Sequence, residues 1–174
     1  MEIRFLYEEE FDKVWHFYDT VITEMKDSPF NPDWNMEYYP DGGYITSSLK
    51  NKQMIGMTDD TGRLISCMVI NHELEGDFDD SVWNVKVSWE EVIAIHTFGV
   101  LPEYHSKGIS RQMMDYVIEY AKSEGYKAIR LDVMPGNIPA EKLYIRYGFS
   151  FIGNFTEIWD DGTEEEFKVY ELKL

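Results

Sequence analysis

Apolar positions along the chain fall into segments of contrasting period. Residues 2–7 read as a short strand. Phe11, Val14, Trp15, Tyr18, Val21, Ile22 and Met25 then recur every three or four residues, which predicts one face of an amphipathic helix. Glu8, Glu9 and Glu10 at its start and Lys26 near its end suit the helix dipole. Residues 27–44 are predicted to be irregular, because Pro29, Pro32, Pro40 and the pair Gly42-Gly43 interrupt regular structure. The same stretch carries Phe30, Trp34, Tyr38, Tyr39 and Tyr44, so it either packs over the core or lines a binding cleft. Strands are predicted over 53–58 and 63–71, flanking a hairpin turn at Asp59-Asp60-Thr61-Gly62. An acidic stretch over 73–80 leads to predicted strands over 82–90 and 92–101, the second ended by Pro102. Ile109, Met113, Val117 and Ala121 give a helical stripe stopped by Gly125. A strand over 128–133 follows, then a short helical face of Ala140, Leu143, Tyr144 and Tyr147. Strands over 149–159 and 166–172, joined by a turn at Asp160-Asp161-Gly162-Thr163, close the chain. No repeat or linker interrupts this succession, and one α/β domain over 1–174 is expected.

Composition narrows the classes. Apolar residues make up 44% of the chain, with 5 Trp, 12 Tyr and 10 Phe, enough for a core without staples. The single Cys67 excludes an internal disulfide, and no metal site is expected. It lies in the apolar run Leu64-Ile65-Ser66-Cys67-Met68-Val69-Ile70, where a buried small residue is expected rather than a nucleophile. No long apolar run and no signal-peptide pattern at Met1-Glu2-Ile3-Arg4 are present, so a cytoplasmic protein without membrane association is expected. The net charge of −17 argues against nucleic acid as a partner. Yet residues 105–146 hold seven Lys and Arg against five acids, a local +2 that leaves −19 for the rest. Such asymmetry suits either a soluble acidic surface or a local anion site.

Two stretches carry chemistry. In Val100-Leu101-Pro102-Glu103-Tyr104-His105-Ser106-Lys107-Gly108-Ile109-Ser110-Arg111 a strand ends and a small-residue turn opens into a helix. Unbonded N–H groups at the helix start, the dipole, Gly108, Lys107 and Arg111 together suit a pyrophosphate, although an ordinary helix start has the same outline. Neither the Rossmann glycine pattern nor a P-loop Gly-Lys-Ser/Thr run is present. In Asn137-Ile138-Pro139-Ala140-Glu141-Lys142-Leu143-Tyr144-Ile145-Arg146-Tyr147-Gly148-Phe149, Pro139 suits a first helical turn and Gly148 a left-handed exit. Asn137 is a candidate helix cap or ligand-amide partner, and Tyr144 a candidate core residue or proton donor.

In type, order and spacing these stretches resemble the two cofactor motifs of the GNAT superfamily of acyl-CoA N-acetyltransferases. The first resembles Q/R-x-x-G-x-G/A, with His105 where Gln or Arg is usual and Ser110 where Gly or Ala is usual. The second matches N-x-x-A-x-x-L-Y-x-x-x-G-F at Asn137, Ala140, Leu143, Tyr144, Gly148 and Phe149. The resemblance implies an α/β fold with a mixed, mostly antiparallel central sheet, splayed between its two middle strands and flanked by helices. It implies that acetyl-CoA enters the splay as acyl donor. Its pantetheine would pair with Phe98 and Val100, Gly99 would mark a bulge, and its pyrophosphate would lie against His105, Ser106, Lys107, Gly108, Ile109, Ser110 and Arg111, with Asn137 and Tyr144 completing the contacts.

Direct attack by an acceptor amine is expected, since Cys67 lies outside the motif region and nothing marks it as an activated thiol, and the resemblance implies Tyr144 as the acid for the departing thiolate. His96 is the candidate base. Strand alternation sets it on one face with Ala94, Phe98 and Val100, and its ordinary pKa of about 6.5 suits proton removal near neutrality. A buried, satisfied histidine is the alternative reading, and Glu90 or Glu91 acting through water is a weaker candidate. A small cationic amine is the expected acceptor, held by Trp34, Tyr38 and Tyr39 through charge and cation–π contact. A protein or peptide amine, or a GNAT-like CoA-binding module without catalysis, are the alternatives. The oligomeric state is left open, a homodimer included.

Overall fold

A computed structural model describes residues 1–74, 79–158 and 164–174. Among them are seven strands: β1 (Glu2–Phe5), β2 (Met54–Thr58), β3 (Leu64–Asn71), β4 (Val92–Val100), β5 (Ala128–Val133), β6 (Ser150–Ile158) and β7 (Glu164–Lys173). Four α-helices accompany them: α1 (Phe11–Met25), α2 (Gly42–Lys50), α3 (Ile109–Ser123) and α4 (Ile138–Arg146). The strand order is β1-β2-β3-β4-β5-β7-β6, an open, mostly antiparallel sheet in which β4 and β5 run parallel. That parallel pairing joins residues 92–95 to 128–131. The turn expected at Asp160-Asp161-Gly162-Thr163, the end of the strand expected to reach Trp159, and residues 75–78 of the acidic stretch lie outside the described residues. No helix among the described residues is long and apolar enough to cross a membrane.

Two compact units form, Met1–Ile70 with His96–Val117, and Asn71–Ile95 with Ile118–Leu174. In the first, α1 buries Val14, Tyr18 and Val21 of the stripe read from the sequence, together with Phe17, which that reading left out. Phe11 and Trp15, from the edge of that stripe, stack on each other instead. The β2–β3 hairpin closes as expected. Asp59 Oδ1 accepts bonds from the backbone N–H groups of Thr61 and Arg63 and from the Thr61 hydroxyl. Gly42-Gly43, expected to break structure, instead opens α2. Asp41 caps the helix by accepting from Tyr44 N at 2.7 Å, and burial of Ile45 and Leu49 offsets the roughly 1 kcal/mol per glycine that helix formation costs.

The second unit departs from expectation over 82–90, where no strand forms. The segment carries 3₁₀ turns at Asp80–Val82 and Trp89–Glu91. Its backbone donors find a carboxylate rather than a ladder, since Asn84 N and Val85 N donate to Glu171 Oε2 at 2.9 and 3.0 Å. Glu171 is in turn ion-paired with Arg130 at 3.1 Å, both side chains being 1% exposed. The Arg130 guanidinium lies over the rings of Trp83 and Trp89 and donates to Val85 O at 3.0 Å. Trp83 packs with Leu74, Ala94 and Val169. A buried ion pair thus takes the place of strand pairing and fixes the approach to β4.

Candidate active site

Within the first unit, the second half of β4 has a clear direction. Gly99 O accepts a bond from Ser66 Oγ at 2.7 Å, and Leu101 N donates to Ile65 O at 3.0 Å. Backbone groups of successive residues in a strand point to opposite edges. With Gly99 and Leu101 turned to β3, Phe98 and Val100 present theirs to the other edge. Side chains alternate likewise: His96, Phe98 and Val100 are half-buried, while Thr97 and Gly99 are buried.

The irregularity expected at Gly99 sits two residues earlier. Thr97 is left-handed, with φ 47, whereas Gly99 is not and is closely packed by side chains. A Cβ there would stand 3.3 Å from both Phe17 and Trp34. Trp34 also meets the Tyr18 ring edge-on, with centroids 5.6 Å apart. Of the aromatic residues assigned to the acceptor, Trp34 is therefore packed beside β4. Tyr39 pairs with Tyr44 by ring and by hydroxyl, and Tyr38 is 78% exposed.

After β4, a 3₁₀ turn (Pro102–Tyr104) leads to the residues before α3. Ser106 and Gly108 both take positive φ, 61 and 80, on either side of Lys107. Lys107 N donates back to Tyr104 O at 3.4 Å, and the first N–H groups of α3, which lack partners within the helix, follow the turn. A Cβ on Gly108 would meet no heavy atom within 4 Å, so glycine is required here by conformation and the space before it is open. Lys107 Nζ lies 4.8 Å from the centre of the Tyr104 ring. Arg111 stands one turn on.

The turn is anchored to the β2–β3 hairpin. Tyr104 OH donates to Asp59 Oδ2 at 2.8 Å, and Arg63 pairs with Glu103. The Thr61 hydroxyl, and after it Tyr104, hold the Asp59 carboxyl well below the usual range. His105 turns Nε2 to Val100 O at 3.0 Å, so its ring ties the turn to the strand. Asp59, Tyr104, Ser66 and Tyr18 went unassigned in the sequence, where each reads as an ordinary turn or core residue.

Within the second unit, Asn137 Oδ1 accepts from Ala140 N at 3.3 Å and caps α4. Gly148, with φ 87, ends the helix, and Phe149 N returns to Tyr144 O at 3.1 Å. The Tyr144 ring is 6% exposed and packs on Phe149 and Tyr170. Burial, and after it the charge of Asp132, pushes its phenol well above the ordinary value, so it keeps its proton through the neutral range. Glu141 fastens α4 to β7, accepting from Lys168 Nζ and from Tyr170 OH, each at 2.9 Å. Cys67, in the first unit, is fully buried and its thiol is pushed up to about 12, which leaves it protonated and unreactive. Among the described residues, no group of three or more His, Cys, Asp or Glu is placed to hold a metal ion.

A glycine turn leads from β4 into α3, and a capped helix with a glycine exit spans 137–149; this succession fits the acyl-CoA-dependent transferases that the two motifs resemble, and comparison with known proteins agrees. Residues 9–149 match the Acetyltransferase (GNAT) family, and the chain belongs to it. A streptothricin acetyltransferase from Escherichia coli is 31% identical over 85 residues, which is 48% of this chain and 45% of that protein. The match thus spans less than half the length of that relative. Among solved structures, a GNAT-family acetyltransferase from Listeria monocytogenes superposes with a TM-score of 0.74 at 20% identity, covering 99% of this chain and 94% of that one. The acetyltransferase yncA from Salmonella typhimurium, solved with acetyl-CoA, gives 0.71 at 15% identity, covering 100% and 94%.

Proposed function

We propose that the chain transfers an acetyl group from acetyl-CoA to a primary amine of a small cationic metabolite, by direct attack. The observation that carries the reading is the turn before α3. Left-handed Ser106 and Gly108, the open space before Gly108 and the charges of Lys107 and Arg111 together suit a pyrophosphate. Phe98 and Val100, turned away from β3, would hold the pantetheine amides, with His105, Ile109, Ser110 and Asn137 contributing at the turn and at the cap of α4. When bound, acetyl-CoA supplies an activated acetyl thioester for attack by the amine nitrogen. His96, half-buried on the face shared with Phe98 and Val100, takes the proton from that nitrogen. Tyr144 keeps its proton at neutral pH and gives it to the departing sulfur.

For the acceptor, a net charge of −17 favours a cation, and the aromatic loop residues Trp34, Tyr38 and Tyr39 offer ring faces. The relationship to a streptothricin acetyltransferase supports the reaction class, and the matched stretch is too short to carry an acceptor over. CoA release measured across a panel of amines tests the proposal. Multiply charged amines should give the highest kcat/KM, falling as ionic strength rises. Equal rates with acidic amino acids and no salt dependence would overturn the cationic acceptor. No release with any amine, and no thermal shift with acetyl-CoA or CoA, would overturn the activity.

A further inference from the structure

Threonine is a poor occupant of the left-handed region. Its β-branch crowds the backbone, and such a residue persists only where its surroundings hold it. Thr97, at φ 47 inside β4, is such a case. Tyr18 of α1 is fully buried, with its hydroxyl oxygen 3.1 Å from Thr97 O and 3.0 Å from Thr97 Oγ1. The Tyr18 O–H donates to Thr97, whose carbonyl and hydroxyl oxygens both face it, and the buried Cys67 thiol meets the same hydroxyl. The other buried members of the α1 face, Val14, Phe17 and Val21, are apolar. A phenylalanine would fill the same volume, so the hydroxyl is not there for packing.

We propose that Tyr18 is a positioning residue for the cofactor strand, its buried hydroxyl holding Thr97 left-handed and so setting the direction in which Phe98 and Val100 present their backbone groups. Two further contacts fix the strand just beyond Thr97 and make the bend there decisive. Ser66 Oγ holds Gly99 O at 2.7 Å, and Phe17 and Trp34 fill the space over Gly99. A strand pinned at Gly99 and relaxed at Thr97 would rotate the peptide between them, which carries the Phe98 groups. Tyr18 itself touches no cofactor atom in this scheme, and the inference rests on the acetyl-CoA reading above.

The experiment compares the full chain with Tyr18→Phe and with the double variant Tyr18→Phe, Thr97→Gly. CoA affinity is measured by calorimetry, and amide hydrogen exchange at residues 98–100 is followed without ligand. Tyr18→Phe should weaken CoA binding roughly tenfold and speed exchange at those amides. The double variant should recover CoA affinity to within about threefold, because glycine adopts positive φ without a side-chain tether. A purely structural role for the hydroxyl would not produce that rescue. Should Tyr18→Phe fail to fold, Thr97→Val removes Oγ1, keeps the branch, and should show the same changes at smaller amplitude. CoA affinity unchanged in Tyr18→Phe, or no recovery in the double variant, would overturn the positioning role alone. A wild-type chain that binds no CoA would overturn the acetyl-CoA reading and this inference with it.

Discussion

Replacing Gly108 by alanine separates the cost of bending the chain from the cost of crowding a ligand. Gly108 sits at φ 80, and a Cβ there would touch no protein atom within 4 Å. The expected loss of stability is therefore conformational alone, about 1–2 kcal/mol. In a chain of this size each kcal/mol moves the Tm by about 2–4 °C, so a drop of about 2–8 °C is expected. Gly125, at φ 84 and equally open, supplies the control. It follows α3 rather than preceding it, so Gly125→Ala should cost the same stability and lie clear of the ligand. Adding CoA at a hundredfold over its Kd should restore about 2.7 kcal/mol to the wild type and to Gly125→Ala. For Gly108→Ala the new methyl group stands where the pyrophosphate would approach, and the ligand-induced shift should fall by about 1.4 kcal/mol or more, a tenfold loss of affinity. Thermal melts with and without CoA read both terms. A shift in Gly108→Ala equal to that of the wild type would refute the placement of the ligand. An equal loss in Gly125→Ala would show that the effect passes through stability.

Tyr144→Phe should lower kcat about a hundredfold to ten-thousandfold, the usual range for a general acid, while CoA affinity measured by calorimetry stays within about threefold. Glu171→Gln should destabilise by about 3–5 kcal/mol in a thermal or denaturant melt, because the Arg130 charge then remains buried without its carboxylate. A loss under about 1 kcal/mol would mean that the pair is not what holds the 82–90 segment. Burial raises the Glu141 carboxyl, but bonds from Lys168 and Tyr170 outweigh it, and its folded pKa lies below the ordinary 4.5. Its contribution is then fully present above that value and lost as pH falls through the lowered one. The stability gap between wild type and Glu141→Gln should accordingly close on acidification below about pH 4.5, and a gap independent of pH would refute the linkage.

Where a single local rule governs, the sequence by itself determined the outcome. The α1 stripe buries Val14, Tyr18 and Val21 as its spacing requires, Asp59 closes the β2–β3 hairpin, and Asn137 and Gly148 bound α4. The two motif stretches were legible because a helix start and a helix exit need particular residues at fixed offsets. Tertiary contacts decided the rest. Gly42-Gly43 reads as a breaker until the Asp41 cap and the burial of Ile45 and Leu49 are counted. Residues 82–90 alternate like a strand, yet their N–H groups are taken by Glu171, which lies more than eighty positions further along the chain. The left-handed residue of β4 is Thr97 rather than the more permissive Gly99; Tyr18 of α1 meets Thr97, and two aromatic rings stand over Gly99. Short-range patterns record what a residue allows. Only the folded chain brings together the distant partners that determine which allowed state has its polar groups satisfied.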